Sequence, residues 1–230
     1  MVPAPTSRRI TGPLKTWYDM HEALRHEVMA LADQAADLTA DGVAAFAQRF
    51  GALDGELRTH SRVEDAVMFP AVAARGGIVA AKLFTEHREE QLRTYELGAA
   101  VMAAKTSGDR DSLSKLATLS AGLRDSLLAH LRLEDDEVLG QVDELFGADE
   151  QAEILREIVA SMPADPTLQP WVASALTPEH LAARLRNMAS SLDRPALVGV
   201  LSQIHGGVAP EVWAEVESRT PELAALVATG

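Results

Sequence analysis

Four histidines recur at positions where each would lie on the apolar face of a predicted helix, and imidazole nitrogens are good metal ligands. Two of them are followed four residues later by a glutamate, as His60/Glu64 and His130/Glu134. Residues i and i+4 lie one above the other on a helix, so both members of each pair can bind a metal. The full candidate set is His21, His60, Glu64, His87, His130 and Glu134. Because buried carboxylates need a compensating positive charge, this pattern predicts a site for two metal ions.

Apolar residues recur at intervals of three and four along the chain, which predicts helices. Four long segments show this period, at about residues 14–38, 43–70, 78–105 and 111–146. Long helices joined by short loops favour an all-α fold, an up-down-up-down four-helix bundle. The apolar register of each helix reaches one histidine: His21 from Leu24, His60 from Leu57, His87 from Leu83 and His130 from Leu127. The bundle would therefore bring one histidine from each helix into its core.

The predicted domain organisation follows from where the long helical segments begin and end. Residues 1–13 are expected to form a flexible N-terminal arm and residues 14–147 the bundle. Residues 148–230 are expected to be a helical extension packed on the bundle. Its shorter helices should begin at or near prolines, because proline is favoured in the first helical turn. Those prolines are Pro178, Pro195, Pro210 and Pro221.

The composition excludes several classes of function. With no cysteine among 230 residues, the chain has no disulfide, thiolate zinc site, iron–sulfur cluster or cysteine nucleophile. The 21 basic and 34 acidic residues give a net charge of −13, which argues against nucleic acid or an anionic membrane as a partner. No apolar run is long enough for a membrane span, and no signal peptide is evident. The expected location is the cytoplasm.

One competing di-metal design is excluded by the spacing of the acidic residues. Ferritin-like carboxylate proteins place a glutamate three residues before a ligating histidine. The residues at that position here are not acidic: Tyr18, Ala23, Leu57, Phe84, Leu127, Thr177 and Ser202. A bundle whose histidines are structural and bind no metal remains as an alternative.

Four segments resemble the hemerythrin, or HHE cation-binding, domain: MHEALRHEV, HSRVEDAVMFP, EHREEQL and HLRLEDDEVL. The resemblance covers about residues 14–146. The most specific part of it is the pattern from His60 to Pro70. The resemblance implies a non-haem di-iron site within a four-helix bundle. By this resemblance, Glu64 and Glu134 would bridge two oxo- or hydroxo-bridged Fe ions. The terminal ligands would be His21, His60, His87 and His130.

The chain departs from the oxygen-carrying members of that family on the third helix. Those proteins have a second histidine one turn after the position of His87, and Gln91 occupies that place here. Glu90 is a candidate to replace the missing ligand, or else it is a solvated helix charge. Fewer protein ligands would leave more open positions on the metal than a carrier has, and open positions favour chemistry at the metal.

Three further residues are additional candidates. The carboxylate on the fourth helix of the oxygen carriers is an aspartate, whose place is taken by Asp135, but Glu134 keeps the apolar register and is favoured. Tyr18 and Tyr95 lie near the predicted apolar faces as possible phenolate ligands or redox partners. Core tyrosines with a hydrogen-bonded hydroxyl are the alternative.

Two classes of function follow from these expectations. The first is an oxidoreductase that reacts with O2 or peroxide at two iron ions, with a small-molecule substrate as a possible partner. The second is a module that binds O2, NO or iron reversibly, or senses redox state, without turnover. No nucleic acid or membrane partner is expected.

Overall fold

The computed structural model describes residues 12–162 and 165–228, so most of the predicted arm at residues 1–13 lies outside the described residues. All regular structure in these two ranges is helical, and they contain no strand, which confirms the all-α fold. The described residues form two compact units. The first comprises residues 24–140, and the second comprises residues 12–23 together with 141–228. The predicted boundaries at residues 14 and 147 remain predictions.

The first unit is a bundle built from the long helices. Their bounds are α1 Lys15–Ala36, α2 Val43–Val63, α3 Phe69–Ala74, α4 Ala81–Ser107 and α5 Arg110–Glu137; the first turns of α1 belong to the second unit. Arg49 of α2 pairs with Glu27 of α1 at 3.0 Å, and Arg25 of α1 pairs with Asp135 of α5. Helix α4 packs against both α2 and α5. These contacts close a ring of four helices, α2 and α3 counting as one.

Local signals explain the connection between α4 and α5. Gly108 adopts the left-handed conformation with φ of 60°, which ends α4 and which glycine tolerates without strain. Asp109 then caps α5 by accepting a hydrogen bond from the backbone N–H of Ser112 at 2.8 Å. This two-residue connection makes α4 and α5 antiparallel neighbours.

The second predicted helix contains a π-helical segment, Glu64–Met68, between α2 and α3. Pro70 has no N–H and its ring would clash with the carbonyl four residues earlier in a regular α-helix. The wider π turn accommodates it, with the N–H of Phe69 donating to the Glu64 carbonyl. The inserted residue shifts the register, so Val72 is fully buried and Ala71 is only half-buried. The apolar register that an unbroken α-helix would carry from Val67 to Ala71 therefore passes to Val72 instead.

The fourth predicted helix is shorter than expected. It ends at Glu137 instead of continuing to residue 146, and a 3-10 turn, Leu139–Gln141, follows it. Gly140 lies in this turn, and glycine disfavours helix continuation. The third predicted helix begins at Ala81, three residues later than expected, and Ile78 is exposed.

The second unit consists of short helices and the first turns of α1. The helices are α6 Val142–Leu145, α7 Ala148–Ser161, α8 Leu168–Ala175, α9 Pro178–Ser191, α10 Arg194–Gly207, α11 Pro210–Arg219 and α12 Pro221–Ala228. The prediction that four of them start at or near prolines is confirmed. Thr177 and Asp193 cap α9 and α10 through their side-chain oxygens.

A buried arginine ties the first turns of α1 to the C-terminal helices of this unit. Arg184 of α9 donates to the carbonyl of Thr16 at 2.8 Å and to Gln169 at 3.3 Å. It also lies 3.5 Å from the carboxylate of Asp19. Nearby, Asn187 donates to the carbonyl of Pro13 at 3.3 Å. Residues 12–23 are thus integral to the second unit.

No helix among the described residues combines the length and apolar character needed to span a bilayer.

Candidate metal centre

Five of the six predicted ligands lie in the bundle unit and are at most 3% exposed: His60, Glu64, His87, His130 and Glu134. His60 lies on α2, and Glu64 lies at the start of the π segment. His87 lies on α4, and α5 carries both His130 and Glu134. His21 is fully buried on the part of α1 that belongs to the second unit. It lies one turn before Leu24, on the same face of a helix that continues into the bundle.

The imidazole Nε2 atoms of the bundle converge on two carboxylates. Glu134 places Oε1 3.3 Å from His130 and 3.4 Å from His87, and its Oε2 3.9 Å from His60. Glu64 Oε2 lies 3.2 Å from His60 and 3.5 Å from His87. Glu134 therefore faces histidines from three helices, and Glu64 faces histidines from two.

The potential ligand atoms form two groups that share Glu134. One oxygen or nitrogen from each of His60, Glu64 and Glu134 lies within 4.8 Å of the others, and the same holds for His87, His130 and Glu134. A carboxylate common to two adjacent groups of donors has the position expected of a bridging ligand between two metal ions.

Two carboxylates outside the cluster orient its histidines. The Nδ1 atom of His87 lies 2.9 Å from Asp65, and that of His130 lies 3.1 Å from Glu86. A neutral imidazole that donates from Nδ1 presents its Nε2 lone pair to the cluster, as is usual for metal-binding histidines. Sequence reasoning did not identify these partners. The sequence feature that could have identified them is their position directly beside predicted ligands: Asp65 follows Glu64, and Glu86 precedes His87.

Aromatic packing holds the ring of His87 in place. Phe69 stacks on it with a centroid separation of 5.6 Å and an angle of 6°, and Phe84 packs edge-on against Phe69 at 5.2 Å. The rings of His87 and His130 are 4.8 Å apart at 70°. Phe69 is the residue that follows the π segment, so the local register of that helix contributes directly to the site.

Electrostatics show that this cluster requires positive charge. Burial opposes protonation of His87, but the adjacent Glu134 and Glu64 carboxylates raise its pKa to about 11. Burial likewise opposes protonation of His130, and Glu134 and other carboxylates raise its pKa to about 9. The pKa of Glu134 is held well below its usual range, against the effect of burial, by the three histidines. Protons thus supply the positive charge in the metal-free cluster.

The donor set fits a transition-metal ion. The Nε2 atoms of His87 and His130 are buried and make no hydrogen bond within the described residues. Both nitrogens lie 3.3 to 3.5 Å from carboxylate oxygens without a regular hydrogen bond, which is costly unless a further partner uses them. Imidazole and carboxylate donors together suit iron and its neighbours in the first transition series.

The additional candidates on α4 differ in position. Gln91 is exposed, so it does not take the place of the absent histidine in the core. The inward-facing residue one turn after His87 is instead Glu90, which is 5% exposed. Burial raises the pKa of Glu90 to about 7. Tyr95 is 73% exposed, so the prediction that it lies near the apolar face was wrong.

The remaining two candidates are Asp135 and Tyr18. Asp135 forms an ion pair with Arg25 at the α1–α5 contact, which leaves Glu134 as the inward carboxylate of that pair of neighbours. Tyr18 is half-buried on the first turns of α1, in the second unit.

Comparisons with known proteins agree with this site. The profile of the Hemerythrin HHE cation binding domain matches residues 12–142, more than half of the chain. The Zinc finger protein BRUTUS of Arabidopsis thaliana is 24% identical over 186 residues, which cover 76% of this chain and 14% of that protein. This chain therefore spans only a small part of the length of that relative. No solved structure matches this chain. The family match and the buried His/Glu cluster together indicate a metal-binding site, and the chain belongs to the hemerythrin HHE cation-binding domain family.

Proposed function

We propose that this protein is a non-haem di-iron protein that reacts with O2 or peroxide and acts as an oxidoreductase. The observation that carries the proposal is the pair of donor groups sharing Glu134, in which imidazoles from three helices face two carboxylates. Six residues would hold the metals: His21, His60, Glu64, His87, His130 and Glu134. Glu64 and Glu134 would bridge, because each lies close to both His60 and His87.

His21 enters this ligand set through the helix register and the family resemblance. It lies on the same face of α1 as Leu24 and Val28, both fully buried in the bundle unit. Its own complete burial, at 0% exposure, also argues for a role inside the protein.

A pair of iron ions held by these six residues would supply redox chemistry toward O2 or peroxide. The protein residues around them have separate tasks. Asp65 and Glu86 keep His87 and His130 in the tautomer that presents Nε2 to a metal. Phe69, which is 1% exposed and stacks on His87, shields that ring from water, and a drier site strengthens the electrostatic interactions inside it.

The second candidate is reversible binding of O2, NO or iron, or redox sensing, without turnover. The complete burial of the site favours it, because a ligand as small as O2 is admitted more readily than an organic substrate. The carrier form of this function would normally use a second histidine on the third helix, and the exposed Gln91 does not provide one.

The two candidates differ in what happens to O2 or hydrogen peroxide. Protein loaded anaerobically with Fe2+ should consume several equivalents of hydrogen peroxide per site, since peroxide can serve as both oxidant and reductant, measured by peroxide absorbance. With O2, several equivalents should be consumed only when a reductant such as ascorbate is added, measured with an oxygen electrode. Reversible uptake of one equivalent, released under vacuum, would favour the binding module instead.

A matched pair of variants on α5 assigns the activity to the cluster. Glu134→Gln removes the shared charge and should abolish consumption. Asp136→Asn changes an exposed carboxylate two residues later, with a side chain 57% exposed, and should leave consumption unchanged. Equal activity in both variants would contradict the proposed site.

A further inference from the structure

Glu90 is a buried carboxylate that the six-residue ligand set does not use. It is 5% exposed, and its Oε1 has no hydrogen-bond partner among the described residues. An unpaired carboxylate in a protein core is costly, and it either neutralises or finds a cation. The chain therefore carries a third negative group inside the bundle without a protein partner for one of its oxygens.

The position of Glu90 directs it toward the cluster. It follows His87 by three residues on α4, and residues three apart on a helix are neighbours on one face. Burial raises the pKa of Glu90 to about 7, and the charges that act on it are those of His130, His87, Glu134 and Glu64. All four belong to the proposed metal site.

Two donors three residues apart on one helix can bind the same ion. The Glu-x-x-His motifs of di-iron and di-manganese carboxylate bundles use this spacing, in the opposite order. Here the order is His87 followed by Glu90, with Arg88 and Glu89 exposed between them. The exposed residues confirm that the two inward positions share one face.

We propose that Glu90 is a further metal ligand, which binds the ion held by His87 and His130. This inference rests on the proposed di-iron function. With two histidines and two bridging carboxylates, each ion would have about four protein ligands, fewer than octahedral iron accepts. A fifth ligand on one ion makes the two ions inequivalent and directs an incoming small molecule to the other one. The third carboxylate also balances more of the charge that two divalent ions bring into the core.

The test compares Glu90→Gln and Glu90→Leu with the control Glu89→Gln, which changes an exposed neighbour on the same helix. Anaerobic titration of the full-length protein with Fe2+, in competition with a chelator, gives the affinity of each site. Both Glu90 variants should bind one of the two ions about tenfold or more weakly. The control should match the wild-type protein.

Thermal unfolding with and without Fe2+ separates a ligand from a merely structural residue. Without metal, both Glu90 variants should unfold at a higher temperature than the wild type, because an unpaired buried charge has been removed. With Fe2+, both should gain less from the metal and unfold at a lower temperature than the loaded wild type. Replacement of a purely structural carboxylate would shift both midpoints in the same direction.

The outcomes distinguish this inference from the function on which it rests. If the wild-type protein takes up Fe2+ and both Glu90 variants bind it with unchanged affinity, the assignment of Glu90 is overturned and the di-iron proposal stands. If the wild-type protein takes up no metal, both are overturned.

Discussion

At the scale of single residues, the two nitrogens of an imidazole have different partners, and this difference determines which nitrogen can bind a metal. In His87 and His130, Nδ1 is engaged by a carboxylate outside the cluster and Nε2 faces Glu134. The outer carboxylate makes the ring a stronger donor and fixes its tautomer. Asp65 and Glu86 are therefore part of the site although neither would touch a metal.

Replacing an outer carboxylate should weaken metal binding without removing a ligand. Asp65→Asn takes away the charge that accepts the Nδ1 proton of His87, so Fe2+ affinity should fall by about 10- to 100-fold. Competition with a chelator measures this change. Asp54→Asn, a partly exposed carboxylate earlier on α2 that pairs with Arg58, is the control. Equal affinities in the two variants would mean that Asp65 does not support the site.

The pKa of Glu90 predicts how the stability of the metal-free protein depends on pH. Burial raises this pKa from 4.5 to about 7, so the folded state holds the proton more tightly than the unfolded state. The resulting stabilisation is complete below about pH 4.5 and is lost as the pH rises through 7, a loss of roughly 3 kcal/mol. The raised pKa values of His87 and His130 act in the same direction above pH 6.5.

Chemical denaturation of the metal-free protein between pH 5 and pH 8 tests this dependence. The free energy of unfolding should decrease with pH in the wild type and decrease less in Glu90→Gln. A wild-type protein that becomes more stable toward pH 8 would contradict the environment assigned to Glu90.

At the scale of helices, the sequence predicted most of the bundle, because long amphipathic segments have a clear period and end at glycine or at capping residues. The ligands on α2, α4 and α5 could be placed for the same reason, since each continues an apolar register. The π segment at Glu64–Met68 could not be placed in this way. It depends on how the chain relieves the constraint of Pro70, and the shift it introduces buries Val72 in place of Ala71.

The apolar pattern also does not predict Asp65 and Glu86, the carboxylates that contact Nδ1 of His87 and His130. Asp65 is 40% exposed, and a half-exposed carboxylate carries no periodic signal. Tyr95 directly follows Thr94, and Thr94 takes the buried position on this face while Tyr95 is exposed. Whether Glu90 or Gln91 faces inward depends on a helix rotation finer than the apolar pattern defines, and the structure chooses Glu90.

Within the second unit, the contacts of α9 with the start of α1 carry a stability prediction. Arg184 is 5% exposed and its charge is compensated by Asp19 and the Thr16 carbonyl. Arg184→Met keeps the aliphatic bulk but leaves these partners without the guanidinium, which should cost roughly 3 kcal/mol of unfolding free energy. Arg186→Met, at an exposed position of the same helix, is the control and should cost far less. Equal urea midpoints for the two variants would contradict a structural role for the buried pair.

At the scale of the whole molecule, the C-terminal helices share their compact unit with the start of α1. Residues 12–23 form one compact unit with residues 141–228, and the continuous helix α1 passes from that unit into the bundle. His21 lies on the shared helix, three residues before the bundle unit begins at Leu24.

The measurement that tests the central claim most directly is the metal content of the full-length protein, purified without chelator and determined by elemental analysis. The di-iron account predicts about two iron ions per chain, loss of iron in His60→Ala and Glu64→Ala, and a lower unfolding temperature once a chelator has removed the metal. His26→Ala, an exposed histidine of α1 with a side chain 53% exposed, should retain the iron. A protein that contains no metal, resists chelator, and is unchanged or stabilised by His60→Ala and Glu64→Ala would contradict the account.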